Sequence, residues 1–153
     1  METPFDTIKR IIRDNRKTAI KRVNLLFESG YLTNETIVKW NTSIAHRAAI
    51  NYCLGSNSAS VDCWSIAFLN YVVTPSAPKP KTNIAASHDA MICAGHLTEA
   101  TNLCCTYAQR AAQSSIECKG RSWSDTVKDG RKTAEKEAVE QLNDLRFILD
   151  INI

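Results

Sequence analysis

The clearest periodicity in this chain lies in residues 134–149, AEKEAVEQLNDLRFIL. Apolar residues recur there three or four positions apart, at Ala134, Ala138, Leu142, Leu145 and Leu149. Residues at this spacing share one face of an α-helix. Lys136, Glu137 and Glu140 fall on other faces. The stretch therefore predicts a closing helix that buries an apolar stripe and begins near Ser124 or after Gly130.

The same spacing predicts two helices at the start of the chain. The first spans 4–29, with Thr3 as N-cap, Pro4 in its first turn and Gly30 as its stop. Residues 13–17 lack apolar side chains, so we expect this helix to bend or break there. The second helix follows Thr33 or Asn34 and ends at Gly55. Its buried stripe is predicted at Ile37, Trp40, Ile44 and Ala48.

A third helix is predicted over 61–73. It is followed by a connector at 74–83, because three prolines fall within residues 75–80 and a helix cannot continue through them. The alanine-rich stretch 84–118 comes next, with a seam of small residues at Leu97, Ala100, Cys104, Tyr107, Ala108 and Ala111. Gly95 either divides this stretch into two helices or lies in one long helix. The sequence thus predicts an all-α fold, a single-domain helical bundle of five to six helices over 1–153.

Composition and charge set the broad class of protein. Hydrophobic residues make up 44% of the chain and charged residues 23%, which is typical of a globular domain. The net charge of +3 excludes no class of partner. Glu2 and Asp6 stand where a secretory signal needs basic residues, and no apolar run reaches the roughly 18 residues of a membrane span. We therefore expect a cytoplasmic protein, with no membrane segment and no cofactor. Its six cysteines are expected to be reduced and buried.

Two groups of residues are candidates for binding a partner. The run Lys9, Arg10, Arg13, Arg16, Lys17, Lys21 and Arg22 carries seven positive charges against Asp14 alone. Such a run could bind nucleic-acid phosphates, but it is spread around the helix, which favours a solvated face or an acidic protein partner. Trp123 beside Arg121 is the second candidate, since exposed tryptophan and arginine anchor interfaces. The predicted partner-binding residues are Arg121, Trp123, Arg13, Arg16 and Lys17.

A polar strip of His88, His96 and Glu99 is predicted if one helix continues through Gly95. Cys93 precedes His96 by three residues, which suits a pair of zinc ligands, but the paired spacing of a four-ligand site is absent. We therefore predict no metal site. A cysteine nucleophile paired with His46, His88 or His96 remains an alternative, although nothing in the sequence selects one pair.

Several segments resemble the bacterial family of immunity proteins. They are AIKRVNLLFE at 19–28, RAAI at 47–50, the helix end at 54–55, AMICAGHLTEA at 90–100, Tyr107-Ala108 and the closing segment at 135–149. The resemblance implies a small, alanine-rich, all-helical protein that neutralises a toxin, with no catalytic residue. Only Gly95-His96 matches the family's histidine-bearing motif directly. Asn102, Cys104 and Cys105 depart from its usual alanine and histidine.

Together these patterns predict a non-catalytic binding protein. The resemblance further implies an immunity-like inhibitor that neutralises a toxin or other macromolecule by occluding its surface. Its partner is then another protein, and the sequence does not define its oligomeric state. Two alternatives stay open. One is a small helical enzyme, metal-dependent or with a cysteine and histidine pair, and the other is a nucleic-acid-binding regulator that acts through the basic first helix.

Overall fold

A computed structural model describes residues 2–48, 84–114 and 123–151, with the backbone alone at 84–88, 114 and 123–129. These residues form six helices and no strand, which confirms the all-α prediction. The helices are α1 Pro4–Arg13, α2 Ala19–Ser29, α3 Asn34–Ala48, α4 Ile84–Gly95, α5 Leu103–Ser114 and α6 Trp123–Ile148. The predicted third helix, the proline-rich connector, Gly55 and Arg121 lie outside the described residues.

The expected first helix is divided in two, as its polar middle predicted. Thr3 caps α1 through a reciprocal pair of bonds: the Asp6 N–H donates to Thr3 Oγ1 over 3.1 Å and the Thr3 N–H donates to Asp6 Oδ2 over 3.2 Å. α1 ends at Arg13, and Thr18 caps α2 by accepting the N–H of Lys21 over 3.1 Å. Residues 14–18 therefore form a corner between two short helices.

The predicted boundary between the next two helices is confirmed. Gly30 ends α2 in the left-handed conformation, with φ of 70°, which glycine adopts without a steric penalty. Thr33 Oγ1 then accepts the N–H of Thr36 over 3.1 Å at the start of α3. The predicted stripe of α3 is buried, at Ile37, Trp40, Ile44 and Ala48.

Gly95 divides the alanine-rich stretch, since α4 ends there and α5 begins only at Leu103. Leu97 and Ala100 therefore lie in a loop, and the predicted seam holds only from Cys104 onward. The side-chain amide of Asn41, on α3, holds this loop by donating to the backbone carbonyls of Leu97 and Glu99 over 3.0 and 3.2 Å. Asn41 is completely buried, so the loop is fixed against the core.

α6 is the long element on which the bundle is built. It packs against α2, α3 and α5, while α4 pairs with α5. Helix α6 continues through Gly130, where an added Cβ would come within 2.8 Å of Gln113 Cγ, so glycine allows the close approach of α5. It ends in a Schellman motif: the N–H of Ile151 donates to Arg146 O and that of Asp150 to Phe147 O. Asp150 is left-handed there, with φ of 55°.

The core lies between these helices. Trp40 is fully buried and stacks on Phe27, with ring centroids 5.1 Å apart. The buried apolar side chains of α6 are Ala134, Ala138, Leu142 and Leu145. Four of the five positions predicted for the apolar stripe are therefore confirmed as buried, while Leu149 is partly buried. In the part of the chain that the structure describes, no helix is both long and apolar enough to cross a bilayer.

Candidate functional site

The corner between α1 and α2 holds three of the predicted binding residues, Arg13, Arg16 and Lys17. Two of them are engaged by one carboxylate: Arg16 Nε lies 3.0 Å from Asp14 Oδ1, and Lys17 Nζ lies 2.8 Å from Asp14 Oδ2. The hydrogen bonds from Arg16 and then Lys17 hold the pKa of Asp14 well below its usual range. Arg16 and Lys17 thus serve a local ion cluster as well as facing solvent.

Other basic residues of the run have acceptors too. Lys9 lies 3.6 Å from Asp6, and Arg10 Nε lies 3.1 Å from Glu2 Oε1. Arg22 turns back to donate to the carbonyl of Ile12 over 2.7 Å, which ties α2 to the end of α1. The local positive charge of the run is therefore partly offset, because neighbouring carboxylates pair with Lys9, Arg10, Arg16 and Lys17.

The predicted polar strip required one helix through Gly95, and that condition is not met. His88 lies in α4, whereas His96 and Glu99 lie in the loop after it. His96 Nδ1 approaches Glu99 Oε2 to 3.0 Å, but the atoms are not aligned for a hydrogen bond, so Nδ1 stays without a hydrogen-bond partner. The imidazole stacks on Tyr107 with centroids 5.9 Å apart. His96 and Glu99 are therefore brought together as part of the loop that Asn41 fixes.

Three cysteines meet in the interior between α4 and α5. Cys93, Cys104 and Cys105 are free thiols and completely buried, as the sequence predicted for them. Cys93 Sγ lies 3.1 Å from Cys104 Sγ. The hydrogen bond with Cys104, together with burial, raises the pKa of Cys93, and burial raises the pKa of Cys105. Both are therefore held as thiols, which disfavours either as a nucleophile in the folded state.

No metal site is formed by the described residues, since they contain no group of three or more histidine, cysteine, aspartate or glutamate side chains that could hold an ion. Of the predicted pair of possible ligands, Cys93 lies inside α4 and His96 lies in the loop after it. Cys53, Cys63 and Cys118 lie outside the described residues.

A buried ion cluster was not foreseen from the sequence. Arg47, near the end of α3, donates to both carboxylate oxygens of Glu137 over 3.0 and 2.7 Å, and its other terminal nitrogen donates to Asp144. The Glu137 side chain is only 1% exposed. The sequence placed Glu137 outside the apolar stripe of the closing helix. It is buried nevertheless, because Arg47 supplies a partner that lets the carboxylate enter the interior.

Burial and charge act in opposite directions in this cluster. Burial raises the pKa of Glu137, and the hydrogen bonds and charge of Arg47 offset only part of that increase. The pKa of Asp144 is raised for the same reason. Burial alone would lower the pKa of Arg47, but the bonds and charges of both carboxylates raise it. The cluster joins α3 to α6 and contains no nucleophile of its own.

Next to the ion cluster lies a chain of buried amides centred on Gln141. The Trp40 indole N–H donates to the backbone carbonyl of Gln141 over 2.7 Å. The Gln141 side chain donates to the Cys105 carbonyl over 3.1 Å and accepts from Gln109 Nε2 over 3.0 Å. Because both ends of the Gln141 amide have partners, this network fixes the register of α3, α5 and α6.

The end of α6 presents the most exposed large hydrophobic residue among those that the structure describes. Phe147 is 89% exposed, although the buried Leu145 lies two residues before it and the buried Ile151 four residues after it. It borders an open depression of about 480 Å³ lined by Asn143, Arg146, Phe147, Asp150 and Ile151. The Arg146 guanidinium donates to Asn143 Oδ1 over 3.2 Å at its edge. An aromatic ring beside an arginine has the composition of an interface anchor.

Trp123, the other predicted anchor, begins α6, but its side chain and Arg121 lie outside what the structure describes. Trp40, predicted to be buried, is confirmed as a core residue.

No family model, no curated protein and no solved structure matches this chain.

Proposed function

We propose that this chain is a non-catalytic binding protein, an immunity-like inhibitor that neutralises a toxin or other protein by covering part of its surface. The observation that carries the proposal is Phe147, a residue that is 89% exposed beside Arg146 in the last turn of α6. Apolar rings are costly to leave in water, and interfaces are enriched in aromatic residues and arginine. We infer that the partner covers this end of α6.

The rigid support beneath Phe147 favours a preorganised surface. The Schellman motif fixes the backbone at the end of α6, and Ile151 folds back into the core. The ion cluster and the Gln141 amides attach the same helix to α3 and α5. A surface that needs no ordering on binding loses less free energy than a flexible one.

The first experiment identifies the partner through Phe147 itself. A photoreactive phenylalanine analogue placed at position 147 should crosslink a defined protein in cells that express the chain. The same analogue at Val139, which is 40% exposed on the same helix, serves as the matched control. Crosslinking of equal strength from both positions would argue against a specific surface at the end of α6.

The second experiment tests the function with the purified partner. The chain should suppress the partner's activity at a stoichiometric ratio, without consuming a substrate of its own. Phe147→Ala should weaken binding by about 30-fold, as expected for a hot-spot residue, while Val139→Ala changes affinity by less than about threefold. Wild-type affinity in Phe147→Ala, or a Phe147→Ala protein that unfolds early, would contradict the proposal.

The same complex tests the surfaces predicted from the sequence. Arg121→Ala with Trp123→Ala should abolish binding without unfolding the bundle if those residues belong to the interface. Arg13, Arg16 and Lys17 are tested in the same way. Unchanged affinity in either set removes that surface from the interface and leaves the end of α6 as the contact.

A further inference from the structure

Among the residues that the structure describes, two cysteine side chains come into contact, Cys93 on α4 and Cys104 on α5. Their sulfur atoms are 3.1 Å apart, inside the contact distance of two thiols and about 1 Å longer than a disulfide bond. Both side chains are completely buried. The two cysteines close a loop of about a dozen residues, which is a favourable length for a stabilising crosslink.

The surroundings keep the two sulfur atoms together. Cys104 Sγ also donates to the backbone carbonyl of Asn41 over 3.5 Å, and the side chain of Asn41 holds the loop that joins α4 to α5. Helix α4 packs more extensively on α5 than on any other described helix. Cys105 is one residue further along α5, where the helix turns it by about 100° away from Cys104. The fold thus selects Cys104, and not its neighbour, as the partner of Cys93.

We propose that Cys93 and Cys104 are a site of reversible disulfide modification, oxidised by a low-molecular-weight disulfide. One protein thiolate attacks a sulfur of the small disulfide, giving a mixed disulfide and releasing one small thiolate. The second protein thiolate then attacks the protein sulfur of the mixed disulfide, which forms the Cys93–Cys104 bond and releases a second small thiolate. The two protons lost by the cysteines end on the two small thiols, and the small disulfide is reduced.

Burial and the raised pKa of Cys93 make the folded protein slow to react, so exchange proceeds when α4 and α5 separate locally or while the chain folds. The crosslink then braces the helix pair that supports α3 through Asn41. Reduction restores the free thiols without changing any charge at neutral pH.

The experiment refolds the full chain from urea in a buffer of reduced and oxidised glutathione, so that slow reaction in the folded state does not decide the result. Thiols are then alkylated in denaturant and the protein is cut with trypsin. Cleavage after Lys81 and Arg110 releases one peptide that contains Cys93, Cys104 and Cys105. We expect this peptide to carry one alkyl group, on Cys105, and to have lost two hydrogen atoms relative to the reduced peptide with the same single alkyl group.

The same redox buffer containing enough urea to unfold the chain provides the reference. The oxidation equilibrium should favour the Cys93–Cys104 bond at least about tenfold more in the folded protein than in the unfolded chain. The loss of chain entropy on closing a loop of this length in the unfolded state sets the upper limit of this ratio at roughly 100-fold. Linkage then requires the oxidised protein to melt higher, by roughly 3–6 °C for a tenfold ratio.

Variants locate the bond. Cys105→Ala should keep both the oxidation and the higher melting temperature, whereas Cys93→Ala should lose both. Mapping of the wild-type peptide decides the pairing even if Cys93→Ala does not fold. Three results would overturn the proposal. One is a peptide with all three cysteines alkylated, and another is an alkyl group on Cys104 with Cys105 oxidised. The third is an oxidation equilibrium that favours the bond no more in the folded protein than in the unfolded one.

Discussion

At the scale of single residues, the loss of Arg47 should be costly, because Arg47 is the partner of a carboxylate that is almost completely buried. We expect Arg47→Ala to lower the free energy of unfolding by about 3–5 kcal/mol, since Glu137 would keep its desolvation cost without its cation. Urea unfolding measures the change. The exposed Arg131, on α6, is the matched control, and Arg131→Ala should stay within about 0.5 kcal/mol of the wild type.

The pH dependence of the Arg47→Ala protein follows from the raised pKa of Glu137. Burial already raises that pKa above the ordinary 4.5, and loss of Arg47 raises it further. Just above pH 4.5 the folded protein then binds a proton that the unfolded chain has released, so stability increases as the pH falls. Between about pH 7 and about pH 5 the variant should regain part of its lost stability. Asp144 also loses the charge of Arg47, so adding Glu137→Gln should reduce this recovery to the part that Asp144 contributes. An equal deficit at both pH values would contradict the argument.

Asp150 stands in a conformation that favours glycine. Its φ of 55° is left-handed, and a side chain there costs of order 1 kcal/mol, somewhat less for aspartate than for larger residues. Asp150→Gly should therefore raise the free energy of unfolding by about 0.5–1 kcal/mol. The reciprocal change at the end of α2, Gly30→Ala, should lower it by about 1 kcal/mol. If Asp150→Gly destabilises the protein, the aspartate side chain makes a contact that outweighs its backbone cost.

At the scale of the elements, α2 depends on a residue far away in the sequence. Glu135, on α6, accepts the N–H groups of Ala19 and Ile20 over 2.7 and 3.1 Å, so two donors of the first turn of α2 are satisfied by another helix. We expect Glu135→Ala to cost about 1–2 kcal/mol of stability and to speed amide exchange in the first turn of α2. Glu140→Ala, at an exposed position of α6, is the control and should change neither quantity.

The helices were predictable where their signals are local. Thr3, Pro4, Gly30 and Thr33 mark boundaries through bonds and backbone angles within a few residues, and the stripe of α3 follows from its period alone. The partnerships between elements were not predictable in this way. Arg47 and Glu137 are 90 positions apart, and no residue near Glu137 in the sequence indicated its burial, because its cation comes from another helix. For the same reason Glu135 gave no sign that it caps α2.

The candidate site was predicted less completely than the fold. Periodicity marks the side that a helix buries, but it does not tell which exposed residue remains uncovered. Phe147 occurs in an apolar sequence, RFIL, where its neighbours Ile148 and Leu149 are partly buried, so only the packing of α6 distinguishes it. The approach of Cys93 to Cys104 likewise depends on how α4 turns back onto α5 after Gly95.

At the scale of the whole molecule, the distribution of charge decides how the protein meets a polyanion. The net charge is +3, and basic residues of the run along α1 and α2 form ion pairs with nearby carboxylates. Surface charges that are already paired contribute little to a field beyond the Debye length of about 8 Å at physiological salt. We therefore expect the wild-type chain to leave a heparin column, or a duplex DNA column, below about 0.2 M salt.

Asp14→Asn tests whether the ion pairs of Asp14 limit the binding of the basic run to a polyanion. The amide can still accept the N–H of Arg16, but it no longer neutralises Arg16 and Lys17, so one or two further phosphates could be engaged. The slope of log affinity against log salt should become steeper by about 0.9 per added contact. Glu28→Gln changes the net charge equally at an exposed position of α2 and should have a smaller effect. A wild-type slope already near −5 would instead favour the nucleic-acid regulator, because about five or six phosphate contacts would have to form without any loss of Asp14.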